Sequence, residues 1–154
     1  MVELKQITKD NYNECLNLAV TDSQKNFVAS NTYSLAQAWV FYDTAYPFAI
    51  YANNEMVGFI MMGYYKPKGI YNIWRFMIDK RFQNKGYGKA ALLLAVKYLK
   101  EKYNINELYL SFEPENTTAE KLYNSVGFVR TGEIENGEVV MCLRPVRLHC
   151  QSPK

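Results

Sequence analysis

The 154-residue chain has a single histidine, His149, placed near its C-terminal end, where no catalytic role is expected for it. Cysteine is scarce as well. Cys15, Cys142 and Cys150 are odd in number and lack metal-ligand spacing. They read as free thiols in a reducing compartment, with no disulfide framework and no metal site. Long hydrophobic runs are missing. The stretch Ala90 to Val96 is far short of a membrane span, and the charged opening MVELKQITKDN does not read as a signal peptide. A surplus of charge of one sign is missing too. Eighteen basic residues against fifteen acidic ones leave +3, too little for a dedicated nucleic-acid binder. These absences set the expectation of a cytoplasmic protein with neither a membrane nor a nucleic-acid partner.

What is present is apolar and aromatic. Hydrophobic residues make up 49% and aromatic ones 15%, with 13 tyrosines. That composition supports one packed domain at this length and excludes disordered and low-complexity classes. Val2 to Gln6 alternates as a short strand. Thr8, Asp10 and Asn11 offer caps for a helix carrying Tyr12, Cys15, Leu16 and Ala19 at helical spacing. Asp22 to Asn31 reads as a loop with a short helical turn, and Ser34 opens a helix running to Thr44. Phe48 to Ala52, a turn at Asn53-Asn54, and Met56 to Tyr65 form a hairpin. After a turn at residues 66–69, Ile70 to Ile78 makes a third consecutive strand.

The pattern changes at Gly86. Tyr87 to Tyr103 places Lys89, Lys97, Lys100 and Glu101 on one stripe of an otherwise apolar helix. Glu107 to Phe112 is a strand. Asn116 and Thr117 cap the next helix, Thr117 and Glu120 fit a capping box, and Gly127 ends it. Phe128 to Glu133 and Glu138 to Leu143 close the chain as a hairpin about Asn136-Gly137. The order is β-α-α-β-β-β-α-β-α-β-β. This predicts an α+β fold with a mixed, mostly antiparallel sheet of about seven strands and about four helices. No linker or internal repeat divides it. Residues 1–146 read as one domain and residues 147–154 as a polar, frayed tail.

Between the third strand and the long helix lies Arg81-Phe-Gln-Asn-Lys-Gly-Tyr-Gly-Lys-Ala90. Gly86 and Gly88 permit a tight turn and close backbone approach to a ligand. The free N–H groups of the following helix start favour an anion, and Lys85 and Lys89 add positive charge. A P-loop is excluded, because Gln83 and Ala90 stand where it requires Gly and Ser or Thr. A dinucleotide fingerprint is matched by Gly86, Gly88 and Ala91, but three antiparallel strands precede it in place of a βαβ unit.

Gln83-x-x-Gly86-x-Gly88 resembles the pyrophosphate-binding signature of the GCN5-related N-acetyltransferase (GNAT) superfamily, here with Ile78-Asp79-Lys80-Arg81-Phe82 as the preceding strand. A second block is similar to that superfamily as well: Asn116-Thr-Thr-Ala119-Glu-Lys-Leu122-Tyr123-Asn-Ser-Val-Gly127-Phe128. The resemblance implies acetyl-CoA as cosubstrate and no metal. It places the coenzyme against Gln83, Asn84, Lys85, Gly86, Tyr87, Gly88 and Lys89, with Asn116 either bonding the pantetheine arm or fixing the helix N-terminus. It implies strand-like pairing of that arm with the backbone of Met77 and Ile78, and an oxyanion-hole role for the Ile78 N–H. Tyr123 would protonate the departing thiolate, and its phenol is mostly protonated at neutral pH.

Ile73-Trp-Arg-Phe-Met-Ile-Asp79, Pro47-Phe-Ala-Ile-Tyr51 and the segment Gln24 to Ala38 look like bacterial diamine and polyamine (spermine/spermidine) N-acetyltransferases. The implied partner is a small-molecule amine, attacking directly in a ternary complex. Such a cation calls for carboxylates and aromatic faces, for which Asp22, Asp43, Glu113, Glu115, Tyr33, Trp39 and Trp74 are the candidates. Glu113 is the expected base. Alternatives are an acetyltransferase for a protein N-terminus, a lysine or an aminoglycoside, and a non-catalytic acyl-CoA-binding module. Superfamily members often dimerise, so a homodimer is a further expectation.

Overall fold

The computed structural model describes residues 1–148. In chain order its elements are β1 (Val2–Gln6), α1 (Tyr12–Asn17), a 3₁₀ turn (Asp22–Gln24), α2 (Asn31–Val40), β2 (Ala45–Ala52), β3 (Glu55–Tyr65), β4 (Ile70–Ile78), α3 (Tyr87–Tyr103), β5 (Leu108–Phe112), α4 (Thr117–Val126), β6 (Val129–Glu135) and β7 (Glu138–Leu143). The strands form one seven-stranded sheet in the order β1-β2-β3-β4-β5-β7-β6. Every neighbouring pair is antiparallel except β4 and β5. This is the α+β architecture expected from the element order.

Local chemistry sets the turns. Asn53 and Asn54 both take positive φ (52° and 66°), the backbone that a two-residue hairpin needs and that asparagine tolerates. Helices cover both faces of the sheet, so there are two cores. One gathers Ala91, Leu92, Ala95 and Leu99 of α3 with Tyr123 and Val126 of α4 against Ile50, Ile60, Leu108 and Met141. The other gathers Cys15, Leu18 and Ala38 against Ala49, Met56, Phe59, Met61 and Met77. That double covering explains why β3 is buried continuously from Met56 to Gly63 without in-out alternation. Among the described residues no helix is long and apolar enough to cross a membrane. Cys15 and Cys142 are buried free thiols, and burial pushes the Cys15 thiol up to about 11.

Several boundaries differ from the sequence-based expectation, each for a tertiary reason. Helix α2 starts at Asn31, not Ser34. Ser30 caps it by accepting from the Tyr33 N–H at 3.1 Å, and the buried Asn31 side chain donates to the Cys15 carbonyl at 2.9 Å. Ser34 lies inside the helix, its hydroxyl turned back to the Ser30 carbonyl. Helix α1 stops at Asn17, short of Ala19, because the Ala19 N–H is claimed by the Asp79 carboxylate at 2.9 Å. The same carboxylate accepts from the Arg81 backbone N–H and Nε at 2.9 and 2.8 Å. The chain therefore turns at Asp79, and residues 79–82 are not strand. On α4, Asn116 alone is the cap, accepting from Ala119 N–H at 3.3 Å. Glu120 is drawn instead to Arg130 at 2.6 and 2.8 Å, so the Thr117–Glu120 box does not form. Of the tail expected at 147–154, residues 149–154, with His149 and Cys150, lie outside the described residues.

Candidate active site

The two parallel strands at the middle of the sheet barely pair. Asn72 and Tyr109 are the one pair of Cα partners joining β4 to β5, near the start of each. Beyond them the strands part, and a groove of about 1820 Å³ opens through the sheet. Along β4 the direction of the backbone groups follows from strand alternation. The Asp79 N–H donates to the Val57 carbonyl of β3 at 2.8 Å. The N–H groups of Ile78 and Phe76 therefore face the opposite, open edge. The Ile78 carbonyl, on that same edge, accepts from Gln83 Nε2 at 2.9 Å. Gln83 also exchanges two hydrogen bonds with Gln24 of the 3₁₀ turn, at 3.1 and 2.9 Å.

At one end of the groove lies the glycine loop. Asn84 and Gly86 both take positive φ (63° and 81°). Gly86 is the cap residue of α3 and makes no side-chain cap bond. Among the described residues the backbone N–H groups of Asn84 through Lys89 find no acceptor in the chain. Free donors of this kind beside a helix N-terminus suit an anion such as a pyrophosphate. Gly88 packs closely: a Cβ there would meet Leu122 at 3.3 Å and Phe76 at 3.4 Å. The observed free donors fit a coenzyme A pyrophosphate. Gln83, Asn84, Gly86, Tyr87, Gly88, Lys89, Asn116, Met77 and Ile78 all line the groove. Lys85 is exposed and stands outside that lining.

Tyr123 enters from α4. Its ring sits against Phe112 and Phe128, each with centroids 6.1 Å away, and only 8% of the residue is exposed. Burial, with a smaller contribution from the Glu138 charge, pushes its phenol above the usual tyrosine range. Among the described residues no hydrogen bond to its hydroxyl is found, and Tyr123 lines the groove. The result is a phenol held protonated and uncommitted to any protein acceptor.

The amine-side candidates divide. Glu113, Asp43 and Trp74 line the groove. Glu113 is half-buried and, among the described residues, has no cation at ion-pair distance. Asp43 pairs with Lys66 at 2.8 Å. Trp74 is the extra residue of a β-bulge opposite Met61 and Met62, and its indole covers Gly63 while Nε1 donates to Asn72 Oδ1 at 2.9 Å. Asp22, Tyr33, Trp39 and Glu115 are exposed and stand outside the lining. Asp22 is paired with Lys25 at 2.8 Å, and Trp39 is 80% exposed. Sequence reasoning missed Glu133, Glu135 and Glu138 of the closing hairpin and Gln37 of α2, which do line the groove. The spacing of Glu133 and Glu135, two residues apart on a strand, was a signal that both share one face.

Comparison with known proteins adds the lineage. The sequence model described as the acetyltransferase (GNAT) family matches residues 8–128. The spermine/spermidine N(1)-acetyltransferase of Bacillus subtilis is 34% identical over 149 residues, covering 91% of this chain and 96% of that protein. Among solved structures, the spermidine N-acetyltransferase of Vibrio cholerae in complex with CoA and spermine superposes with a TM-score of 0.74 at 18% identity, covering 94% of this chain and 95% of that one. An aminoglycoside acetyltransferase in complex with coenzyme A reaches the same TM-score of 0.74 at 16% identity, with 94% and 95% covered. The fold is thus common to enzymes with different acceptors, and the match over most of its length shows that this chain belongs to the acetyltransferase (GNAT) family.

Proposed function

We propose that the protein is an acetyl-CoA-dependent N-acetyltransferase acting on a primary amine of a polyamine such as spermine, spermidine or a diamine. The observation that carries the acetyl-transfer reading is the parting of β4 from β5 beside six free loop N–H groups, with Tyr123 in the same groove. The acceptor reading rests on the carboxylates that line the groove, Glu113, Glu133, Glu135 and Glu138, and on the Bacillus subtilis relative. A flexible polycation is held by several dispersed carboxylates more readily than by one.

Acetyl-CoA, when bound, supplies the acetyl thioester. The residues of this chain then divide the work. The loop N–H groups from Asn84 to Lys89 hold the pyrophosphate, and Asn116 and the open edge of β4 hold the pantetheine arm. The Ile78 N–H donates to the carbonyl oxygen as negative charge grows on it. Glu113, directly or through water, takes the proton that the substrate ammonium must lose, since a free primary amine has a pKa of about 10.4. Tyr123 gives its proton to the leaving thiolate. Direct attack needs no acyl-enzyme, and the buried Cys15 and Cys142 thiols are poor nucleophiles with pKa values raised by burial. The reading extends to the cytoplasm as compartment, in keeping with those free thiols, and to a homodimer.

The test is a steady-state acceptor panel with labelled acetyl-CoA: spermine, spermidine and putrescine against lysine, peptide N-termini and an aminoglycoside. Turnover of the polyamines at the highest kcat/KM is the expected result. Turnover confined to the other amines would overturn the acceptor assignment. Coenzyme binding without turnover of any amine would overturn the enzymatic one.

A further inference from the structure

Charges of both signs line the groove. On the α2 side stands Arg75. Its Nη1 donates to the Trp74 carbonyl at 2.7 Å and its Nη2 to Gln37 Oε1 at 3.1 Å, and its guanidinium lies 5.8 Å from the Tyr33 ring centroid. Its buried Nε has no partner, and no carboxylate among the described residues pairs with it. On the opposite side the β6–β7 hairpin contributes Glu133, Glu135 and Glu138, the last accepting from Ser111 Oγ at 2.6 Å. An acceptor with one amine at the reacting centre and a second ammonium farther along is repelled from the α2 side by Arg75. It is attracted toward the hairpin.

One of those hairpin carboxylates is already engaged. Lys68, on the turn between β3 and β4, forms an ion pair with Glu135 of β6. Strands β5 and β7 lie between β4 and β6 in the sheet, so this pair closes across the groove and not along neighbouring strands. Beside it, Lys66 of the same turn pairs with Asp43. Each lysine presents a primary alkylammonium on a flexible stem, the same chemical group as the end of a polyamine. The Lys68 and Glu135 side chains are 52% and 47% exposed, so the pair is loosely held and exchanges readily.

We propose that Lys68 is a specificity-determining residue: its ammonium occupies Glu135 in place of the substrate's distal ammonium, and a di- or polycationic acceptor seats that ammonium by displacing Lys68. The inference rests on the polyamine reading above. An internal competitor weakens every acceptor that needs Glu135 and leaves a monocationic amine untouched. It also ties the affinity gained by removing Lys68 to the presence of Glu135.

The experiment compares the wild type with Lys68→Met, Glu135→Gln and the double variant, using spermidine and a monoamine of similar length. In Lys68→Met the KM for spermidine should fall by about two- to fivefold, the range expected from an exposed ion pair. The monoamine KM should hold, and the spermidine preference should rise accordingly. Glu135→Gln should raise the spermidine KM, and adding Lys68→Met to it should bring no further gain. A spermidine KM that is unchanged or raised in Lys68→Met overturns the proposal. So does an equal change for the monoamine, which would mark the pair as a structural strap. A gain that survives in the Glu135→Gln background overturns it as well. Absence of spermidine turnover by the wild type is a different failure: it removes the polyamine reading itself, and this inference with it.

Discussion

Asn72 and Tyr109 are the single point at which β4 and β5 meet. Each lies near the start of its strand, and both strands continue past the contact without pairing again. A parallel pair that ran in register to Ile78 and Phe112 would satisfy the β4 backbone with β5. By parting after one contact the strands leave the Ile78 and Phe76 N–H groups to a ligand. The groove is thus built from withheld hydrogen bonds, and the activity of the protein should be sensitive to the groups that replace them.

Replacing Tyr123 by Phe should lower kcat by about 10²- to 10⁴-fold, the usual range for a positioned proton donor. The KM for acetyl-CoA should change little. Because the hydroxyl has no partner among the described residues, the Tm should hold. The pH dependence has a definite sign. A proton donor fails as pH rises through its pKa, and burial holds the Tyr123 phenol above the ordinary value of about 10. Wild-type kcat should therefore show no Tyr123-linked decline below about pH 10. A loss of acetyl-CoA affinity equal to the loss of rate would mark Tyr123 as a packing residue.

Glu113→Gln should lower kcat/KM for spermidine by about 10²-fold at neutral pH. Activity should recover as pH approaches about 10.4, where the free amine supplies its own neutral form. Full activity with an unchanged pH profile would show that Glu113 is not the base.

Gly86→Ala probes the loop. With φ at 81°, an L-residue there is strained by about 1–2 kcal/mol, although its Cβ would meet nothing within 4 Å. Calorimetry should register that loss, and the KM for acetyl-CoA should rise while the KM for the amine stays level. A matching rise in amine KM would mean that the loop does not serve the coenzyme alone.

Gly63→Ala probes the bulge. A Cβ at residue 63 would lie 2.2 Å from Trp74 Cε2, so the indole must move. Overpacking of this kind costs about 1–3 kcal/mol. Since Trp74 lines the groove, amine KM should rise more than acetyl-CoA KM. An unchanged Tm would show that Trp74 is free to shift without cost.

Asp79→Asn tests the turn that ends β4. Burial raises the Asp79 carboxyl, but hydrogen bonds from the Arg81 guanidinium and from the Ala19 and Arg81 backbone N–H groups outweigh it and hold it below the usual value. A carboxyl depressed in the folded state stabilises it at pH above the unfolded value of about 3.9, and that contribution is lost as pH falls through the folded value. Denaturant titration at neutral pH should show Asp79→Asn weaker than wild type by about 1–3 kcal/mol. The gap should narrow below about pH 4. A gap independent of pH would mean that the carboxylate charge plays no part.

Much of this was legible in the chain because it depends on local chemistry. Helix α3 runs from Tyr87 to Tyr103 as its polar stripe indicates, and the hairpins turn at Asn53-Asn54 and Asn136-Gly137 as their residue types require. Gly127 ends α4 with φ at 114°. The candidate acceptor residues fared unevenly, because exposure is not written in residue type. Asp22 is held by Lys25 on its own turn, and Trp39 faces outward from α2. The carboxylates of β6 line the groove because tertiary pairing sets the closing hairpin beside β5, with Glu135 in reach of Lys68.

The role of Tyr123 comes from the resemblance of its block to the family, whereas the order of elements and the glycine loop with its anion-seeking helix start are local properties that the sequence by itself determined. These follow from glycine's freedom at positive φ, from helix capping and from periodicity, all of which act within a few residues. The tertiary arrangement parts β4 and β5 after Asn72 and Tyr109 and lets the Asp79 carboxylate end both α1 and β4. It alone brought Glu133, Glu135 and Glu138 to the groove while leaving Asp22 and Glu115 in solvent. These are contacts between segments dozens of residues apart, and no local preference encodes which distant group will arrive to claim a given donor or charge.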